Sequence, residues 1–123
     1  MPIAEIEALS REIADYPEGA SLSAKTSIHI GRIRPITNIC PVNKEQELIN
    51  ITIDYTPQDH FIELVSYRKR LQRGFADTLE SIAEHLFKEV WDLINPCALA
   101  VTVYLEDEYL SDWHVRVDGH KAE

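Results

Sequence analysis

Residues 49–56 alternate strictly between large apolar and polar side chains. The apolar members are Ile49, Ile51, Ile53 and Tyr55, and the polar members are Asn50, Thr52, Asp54 and Thr56. Because successive side chains of a strand point to opposite faces, this alternation predicts a strand with one buried and one polar face. The Pro57-Gln58-Asp59-His60 sequence that follows predicts a turn, since Pro restricts φ and Asp can bond its own backbone. The chain therefore contains a half-buried strand and reverses direction after it.

The composition is that of one globular domain over residues 1–123. Hydrophobic residues make up 45% of the chain and charged residues 27%, which is typical of folded soluble proteins. No apolar run approaches the ~20 residues of a membrane span, and the N-terminus lacks a basic segment followed by an apolar one. We therefore expect a cytoplasmic protein with no membrane partner.

Charge and cysteine content argue against two classes of function. The formal net charge of −9 argues against broad nucleic-acid binding, because proteins that neutralise phosphates present a basic face. One basic cluster stands out nonetheless, formed by Arg68, Lys69, Arg70 and Arg73. The two cysteines, Cys40 and Cys97, lack the spacing of a zinc site, so we expect no metal.

Periodicity along the chain predicts three helices and four strands. Apolar spacing of three and four residues predicts an N-terminal helix over about residues 2–16, a short helix over 64–73 and a long helix over 77–94. Alternation predicts strands within 22–34, 49–56, 99–105 and 113–117, so the core spans about residues 22–118. The expected fold is α+β, with a four-stranded antiparallel sheet, two helices on one face and the order β-β-α-α-β-β. Since the open sheet leaves unpaired edges, we expect a homo-oligomer that closes a barrel.

The Cys40-Pro41 step and the carboxylate seven residues later, Glu47, are the first candidates for chemistry. A thiol in a loop can stay accessible, and as a thiolate it is a strong nucleophile. Glu47 can act as a proton donor or acceptor across the loop. The residues alone also allow a buried structural thiol at Cys40 and a solvated carboxylate at Glu47, and they favour a structural role for Cys97.

Two further carboxylates precede helices. Asp77-x-x-Glu80 matches a capping box, in which Glu80 would bond the cap N–H, but a carboxylate at a helix start can also bind the N–H groups of a heterocyclic base. Glu63 has the same two alternatives at the start of the short helix. Arg68 on that helix could contact a phosphate.

These residues together resemble the queuosine-pathway nitrile reductases, the QueF family. The resemblance is carried by Cys40-Pro41-Val42, Glu47, Asp54-Tyr55-Thr56-Pro57 and Ile62-Glu63-Leu64. They are similar to the family's Cys-Pro-x-Thr-x-x-x-Asp, Tyr-x-Pro and Val-Glu-x-Lys-Ser segments, with gapless spacing from the cysteine to Pro57. Leu79-Glu80 falls where the family has a His-Glu pair. The similarity covers about residues 26–118 and implies the family's tunnelling fold (T-fold).

The resemblance implies a mechanism and a set of site residues. The Cys40 thiolate would attack the nitrile of 7-cyano-7-deazaguanine to form a thioimide, with Glu47 assisting proton transfer. Glu80 and Glu63 would bind the N–H edge of the base. NADPH would deliver two hydrides, with Ser66 and Arg68 in the cofactor segment. The active unit would be a homo-oligomer with sites at subunit interfaces.

The chain differs from the family at several of these positions. Glu47 replaces an Asp, Leu79 replaces the His, and acidic Glu106-Asp107-Glu108 replaces a basic turn. The spacing from Glu63 to Glu80 resembles a shorter relative, the QueF-like amidinotransferase of archaeosine synthesis, which uses ammonia in place of NADPH. Its substrate is a base within tRNA, however, and the net charge argues against direct tRNA binding. We predict nitrile reduction, with amidination and non-catalytic purine or pterin binding as alternatives.

Overall fold

A computed structural model describes residues 10–12, 25–106 and 113–122. The strands are β1 (Ser10–Glu12), β2 (Thr26–Ile30), β3 (Ile36–Ile39), β4 (Gln46–Thr56), β5 (His60–Ile62), β6 (Ala98–Glu106) and β7 (His114–His120). The helices are α1 (Leu64–Gln72) and α2 (Leu79–Ile94). The predicted α+β class, antiparallel sheet and pair of helices are confirmed. No helix in the described ranges is long and apolar enough to cross a membrane.

The main sheet is antiparallel, with β4 and β6 as its central strands. Its order is β2-β4-β6-β7, and β3 pairs with β4 as well. β2 pairs with the second half of β4, from Thr26 opposite Tyr55 to Ile30 opposite Ile51. β3 pairs with the first half, from Ile36 opposite Ile49 to Ile39 opposite Gln46. The sheet therefore has five strands, of which β2 and β3 lie one after the other along the same edge of β4. The sequence predicted four strands.

The additional strand arises because the edge of the sheet is interrupted after Ile30. Gly31 has φ +103°, and a Cβ there would lie 2.9 Å from both Asn50 Cα and Ile49 O. Pro35 has no N–H to donate to a ladder. The chain leaves the edge at Gly31 and returns to it at Ile36, so the strand predicted within residues 22–34 ends at Ile30 and β3 follows as a separate strand.

The core lies between the helices and one face of the sheet. Ile49, Ile51 and Ile53 are fully buried on β4, which confirms the face predicted from their alternation. The core side of α2 carries the stripe of Leu79, Ile82, Ala83, Leu86, Val90 and Ile94. Full burial of each isoleucine side chain stabilises the fold by roughly 1.5–3 kcal/mol relative to leaving it exposed. This burial holds α2 across β6 and β7.

The N-terminal helix prediction is wrong at Ser10–Glu12, where the chain forms strand β1. β1 pairs antiparallel with β5, with Ser10 opposite Ile62 and Glu12 opposite His60. Backbone pairing to a neighbouring strand outweighs the helical spacing of the apolar residues here, since local propensity is the weaker effect. The rest of the predicted helix over residues 2–16 lies outside the described residues.

Candidate functional site

Cys40 lies at the end of β3, in the tight connection to β4. Its N–H donates to Glu45 O at 3.0 Å, and its carbonyl accepts from Lys44 N at 2.9 Å. Asn43 Oδ1 accepts from Glu45 N at 2.9 Å, and Lys44 has φ +62°. These bonds hold the loop, while the Cys40 side chain is only half-buried. The loop therefore fixes the backbone of Cys40 and leaves the residue partly exposed.

Glu47 lies on the same face of the sheet as Cys40. Asn38 is directly opposite Glu47 in the β3–β4 ladder, and the bond from Cys40 N to Glu45 O continues that register by two residues. Side chains two positions apart share a face, so Cys40 and Glu47 are diagonal neighbours, about 7–8 Å apart at Cα. Both are half-buried. The structure thus brings together the two residues predicted to carry the chemistry.

Asn38 connects Glu47 to the segment that starts α2. It is 0% exposed, and its Nδ2 donates to Glu47 Oε1 at 2.7 Å and to Asp77 O at 2.9 Å. Its Oδ1 accepts from Asp77 N at 3.1 Å. No sequence motif indicated a role for Asn38. The signal was a polar side chain at an inward position, between Ile36 and Cys40 in the alternation of β3.

Glu80 does not cap α2, so the capping-box alternative is wrong. The cap is Thr78, whose Oγ1 accepts from Ser81 N at 3.2 Å. The Asp77 carboxylate accepts from Thr78 N at 2.8 Å and from Ser81 Oγ at 2.9 Å. Glu80 is exposed one turn from the Asn38 contact, whereas Leu79 is 7% exposed and packs in the core. The Glu80 carboxylate therefore remains on the surface at the Cys40 end of the sheet.

Glu63 caps α1, as one of its two alternatives predicted. Its Oε2 accepts from Ser66 N at 2.7 Å. The cap lies near the opposite end of β4, because the preceding residue, Ile62, donates its N–H to Tyr55 Oη at 3.2 Å. Tyr55 and Glu47 are eight residues apart on β4, roughly 26 Å along an extended strand. The structure of the chain does not bring Glu63 and Ser66 to Cys40.

A cationic cleft opens between residues 31–34 and α1. It has a volume of about 1050 Å³ and is lined by four basic residues, Arg32, Arg34, Arg68 and Lys69, and by aliphatic side chains that include Ile33, Leu64 and Val65. Gln72 Nε2 donates to Arg34 O at 3.0 Å and holds the loop against the helix. Arg68 thus lines the same cleft as two arginines, Arg32 and Arg34, that no sequence motif indicated. Neither Cys40 nor Glu47 lines this cleft.

Arg70 belongs to a different contact, between α1 and α2. Its Nε and Nη2 donate to Glu89 Oε1 at 3.2 and 3.1 Å, and the Tyr67 hydroxyl donates to Glu89 Oε2 at 3.0 Å. Tyr67 is fully buried. Burial, followed by the negative charge of Glu89, raises the pKa of Tyr67 well above 10.0. Arg70 is therefore part of the scaffold and does not serve the cleft.

Comparison with known proteins identifies the fold. No protein-family model matches the chain, and no curated protein matches it. Among solved structures, the apo crystal structure of the archaeosine synthase QueF-Like is similar, with a TM-score of 0.65 and 15% sequence identity, over 85% of this chain and 99% of that one. At this identity the likeness establishes fold alone: the chain has the fold of the archaeosine synthase QueF-Like.

Proposed function

We propose that this chain is a QueF-like enzyme of 7-deazaguanine chemistry that binds a nitrile base covalently through Cys40. The observation that carries the proposal is the placement of Cys40 and Glu47 on one face of the β3–β4 hairpin, with Glu47 held by the buried Asn38. The shared fold supports it independently. The substrate in this proposal is 7-cyano-7-deazaguanine.

The covalent step requires a nucleophile and a proton carrier close together. The Cys40 thiol passes its proton to the Glu47 carboxylate, and the thiolate attacks the nitrile carbon. A sulfur–carbon bond forms, one π bond of the nitrile breaks, and the nitrogen takes the proton back from Glu47. Because a nitrile is a weak electrophile, the reaction needs both a soft nucleophile and a positioned acid. The product is a thioimide, with no net change in oxidation state.

The base is held by carboxylates that accept its N–H groups. In this proposal Glu80 comes from the subunit that supplies Cys40, because it lies one turn from the Asn38–Asp77 contact. Glu63 lies near the far end of β4 and would contribute from a neighbouring copy. The proposal therefore includes a homo-oligomeric barrel with its sites at subunit interfaces.

The cationic cleft supports a second substrate that carries phosphate. Arg32, Arg34, Arg68 and Lys69 line it, and aliphatic side chains form the rest of the surface. These residues fit the phosphates of NADPH in charge, and NADPH would supply the hydrides for reduction to 7-aminomethyl-7-deazaguanine. Ser66 and Arg68 remain the proposed cofactor residues on α1. Since Cys40 is not in the lining, the nicotinamide would have to reach a site in the assembled oligomer.

The alternative second step is amidination. One observation supports it, that a structurally similar protein is an archaeosine synthase. In that case ammonia attacks the thioimide of a base within tRNA, and the same four cations would contact tRNA phosphates. A non-catalytic purine or pterin binder is the remaining alternative, and the absence of an adduct would leave a binding or structural role.

Intact-mass measurement tests the first step. Cys97 is exposed, so the experiment uses Cys97→Ser as its background. With saturating 7-cyano-7-deazaguanine, we expect the mass of one ligand per chain and a change in absorbance, and both should disappear in Cys40→Ala with the fold preserved. A parent protein that gains no mass would rule out the enzymatic proposal.

The fate of the adduct identifies the second step. Decay that depends on NADPH indicates reduction, and decay with ammonia on the tRNA-borne base indicates amidination. An adduct that persists in both conditions would show that neither activity belongs to this protein.

A further inference from the structure

We infer that Asn38 is a positioning residue: it binds one carboxylate oxygen of Glu47 and leaves the other oxygen to carry the proton. Oε1 is the anchored oxygen, and Oε2 is the oxygen that carries the proton between Cys40 and the substrate nitrogen. The inference rests on the proposed function for the identity of the reaction, while its structural basis lies in the contacts of Asn38.

The orientation of the Asn38 amide is determined by its contacts with Asp77. Nδ2 donates to Asp77 O at 2.9 Å, and Oδ1 accepts from Asp77 N at 3.1 Å. If the amide were flipped, its oxygen would face Asp77 O and its nitrogen would face Asp77 N, and neither pair could form a hydrogen bond. Only one orientation of the amide therefore satisfies both bonds. The second N–H of Nδ2 is then directed to Glu47 Oε1, at 2.7 Å.

The backbone on either side of Asn38 is held as well. Phe75 N donates to Thr37 O at 2.9 Å, and Ile39 N donates to Phe75 O at 3.0 Å. Asn38 itself is 0% exposed. A buried amide with both N–H groups and its oxygen bonded has no free rotamer, so it is a rigid support.

Glu47 needs such a support because its side chain is long. A glutamate at the rim of a sheet has three rotatable bonds, and their freedom opposes any single placement of the carboxylate. The bond from Asn38 removes much of that freedom. Among the described residues, Oε2 has no hydrogen-bond partner, so it is the oxygen that remains available to the neighbouring thiol on the same face.

The reaction then runs through defined atoms. Oε2 accepts the Cys40 proton, the sulfur bonds to the nitrile carbon, and Oε2 returns the proton to the nitrogen as one π bond breaks. Oε1 stays bonded to Asn38 Nδ2 throughout. The sum is addition of S–H across the nitrile, so no oxidant or reductant is needed.

A double-mutant cycle tests the inference in the Cys97→Ser background. The variants are Asn38→Ala, Glu47→Gln and the pair, and the measurement is the single-turnover rate of adduct formation with 7-cyano-7-deazaguanine. We expect Asn38→Ala to slow adduct formation about tenfold or more and Glu47→Gln about 100-fold. In the Glu47→Gln background, Asn38→Ala should change the rate by less than about twofold, because its effect passes through Glu47.

A purely structural role gives a different result. If Asn38 only held Asp77 and the start of α2, Asn38→Ala would slow the reaction equally with or without the Glu47 carboxylate, and this would overturn the inference. Circular dichroism and melting temperature check the fold of each variant. Asn38→Ser replaces Asn38→Ala in the cycle if the alanine variant does not fold.

The same cycle with iodoacetamide separates the inference from the proposed function. Alkylation of Cys40 needs no substrate but still needs the thiol proton removed. If the parent protein forms no adduct, the proposed function fails, and the alkylation rates decide the inference alone. Equal rates in the parent and Asn38→Ala would reject it, whereas slowing that requires the Glu47 carboxylate would support it.

Discussion

The hydroxyl of Tyr67 donates a hydrogen bond of 3.0 Å to Glu89 Oε2 inside the interface between the two helices. Arg70 binds the other carboxylate oxygen of Glu89. We expect Tyr67→Phe to lower the free energy of unfolding by about 1.5–3 kcal/mol, as for a hydrogen bond to a charged group. Chemical denaturation measures this. A matched control is Tyr104→Phe, at a half-buried position on β6, and an equal loss there would contradict the assignment.

The stability that Tyr67 provides depends on pH. Burial and Glu89 raise the pKa of Tyr67 above the 10.0 of the unfolded chain. The unfolded state therefore releases the phenol proton first, and the stabilisation is complete below pH 10 and is lost as pH rises beyond it. We expect the stability advantage of the parent protein over Tyr67→Phe to be constant between pH 7 and about 9 and to shrink above about 10. Denaturation at each pH checks this, and an advantage that grew above pH 10 would have the wrong sign.

Gly31 interrupts the sheet edge where a side chain has no room. Its φ is +103°, and an added Cβ would meet Asn50 Cα and Ile49 O at 2.9 Å. We expect Gly31→Ala to cost more than about 1–2 kcal/mol, since strain and a backbone clash add. Thermal unfolding of this variant should be compared with Ser27→Ala, at an exposed position on β2. Equal stability of the two variants would mean that residues 31–34 can rearrange.

Two residues at the start of α2 have different roles: Thr78 caps the helix, and Glu80 is proposed to bind the ligand. Thr78 is the cap, so Thr78→Ala should lower the free energy of unfolding by about 1 kcal/mol. Glu80 is exposed and takes no part in the cap, so Glu80→Ala should change it by less than about 0.5 kcal/mol. In a Cys40→Ala background, which cannot form the adduct, Glu80→Ala should instead weaken the proposed binding of 7-cyano-7-deazaguanine. Calorimetry measures this affinity, and Glu84→Ala at an exposed position on the same helix is the control. A large loss of stability in Glu80→Ala would restore the capping box.

Charge reversal tests the cationic cleft. Arg68→Glu removes one of four lining cations and introduces a carboxylate. For the proposed binding of NADPH in this cleft, we expect the affinity to fall about tenfold or more and to depend less steeply on salt concentration. Arg73→Glu is the matched control, because Arg73 is exposed just after the same helix but does not line the cleft. Titration by fluorescence or calorimetry measures both. If the two variants lose affinity equally, the effect comes from net charge and not from the cleft.

The local sequence pattern by itself determined strand β4, helix α2 and the ends of the two helices. The alternation at Ile49, Ile51 and Ile53 predicts β4, and a three-to-four spacing of apolar residues predicts α2, because each element must bury one face. Stop signals act locally as well: Gly74 follows α1 with φ +87°, and Asn95 ends α2 in the left-handed region. Cys40 and Glu47 stand out as candidates in the sequence because their separation along the chain is short.

Tertiary contacts decided the rest. Asn38 binds both Glu47 and Asp77, and Asp77 lies 39 residues after Asn38 in sequence. Arg34 and Arg68 line one cleft only because residues 31–34 fold against α1. Ser10–Glu12 lies within a stretch of helical apolar spacing yet forms a strand, since β5 offers it backbone partners. Such contacts depend on register and packing between distant segments. The chain therefore encodes β4 and α2 locally, whereas β1 and the hydrogen bonds that orient the candidate proton carrier exist only once distant strands have paired.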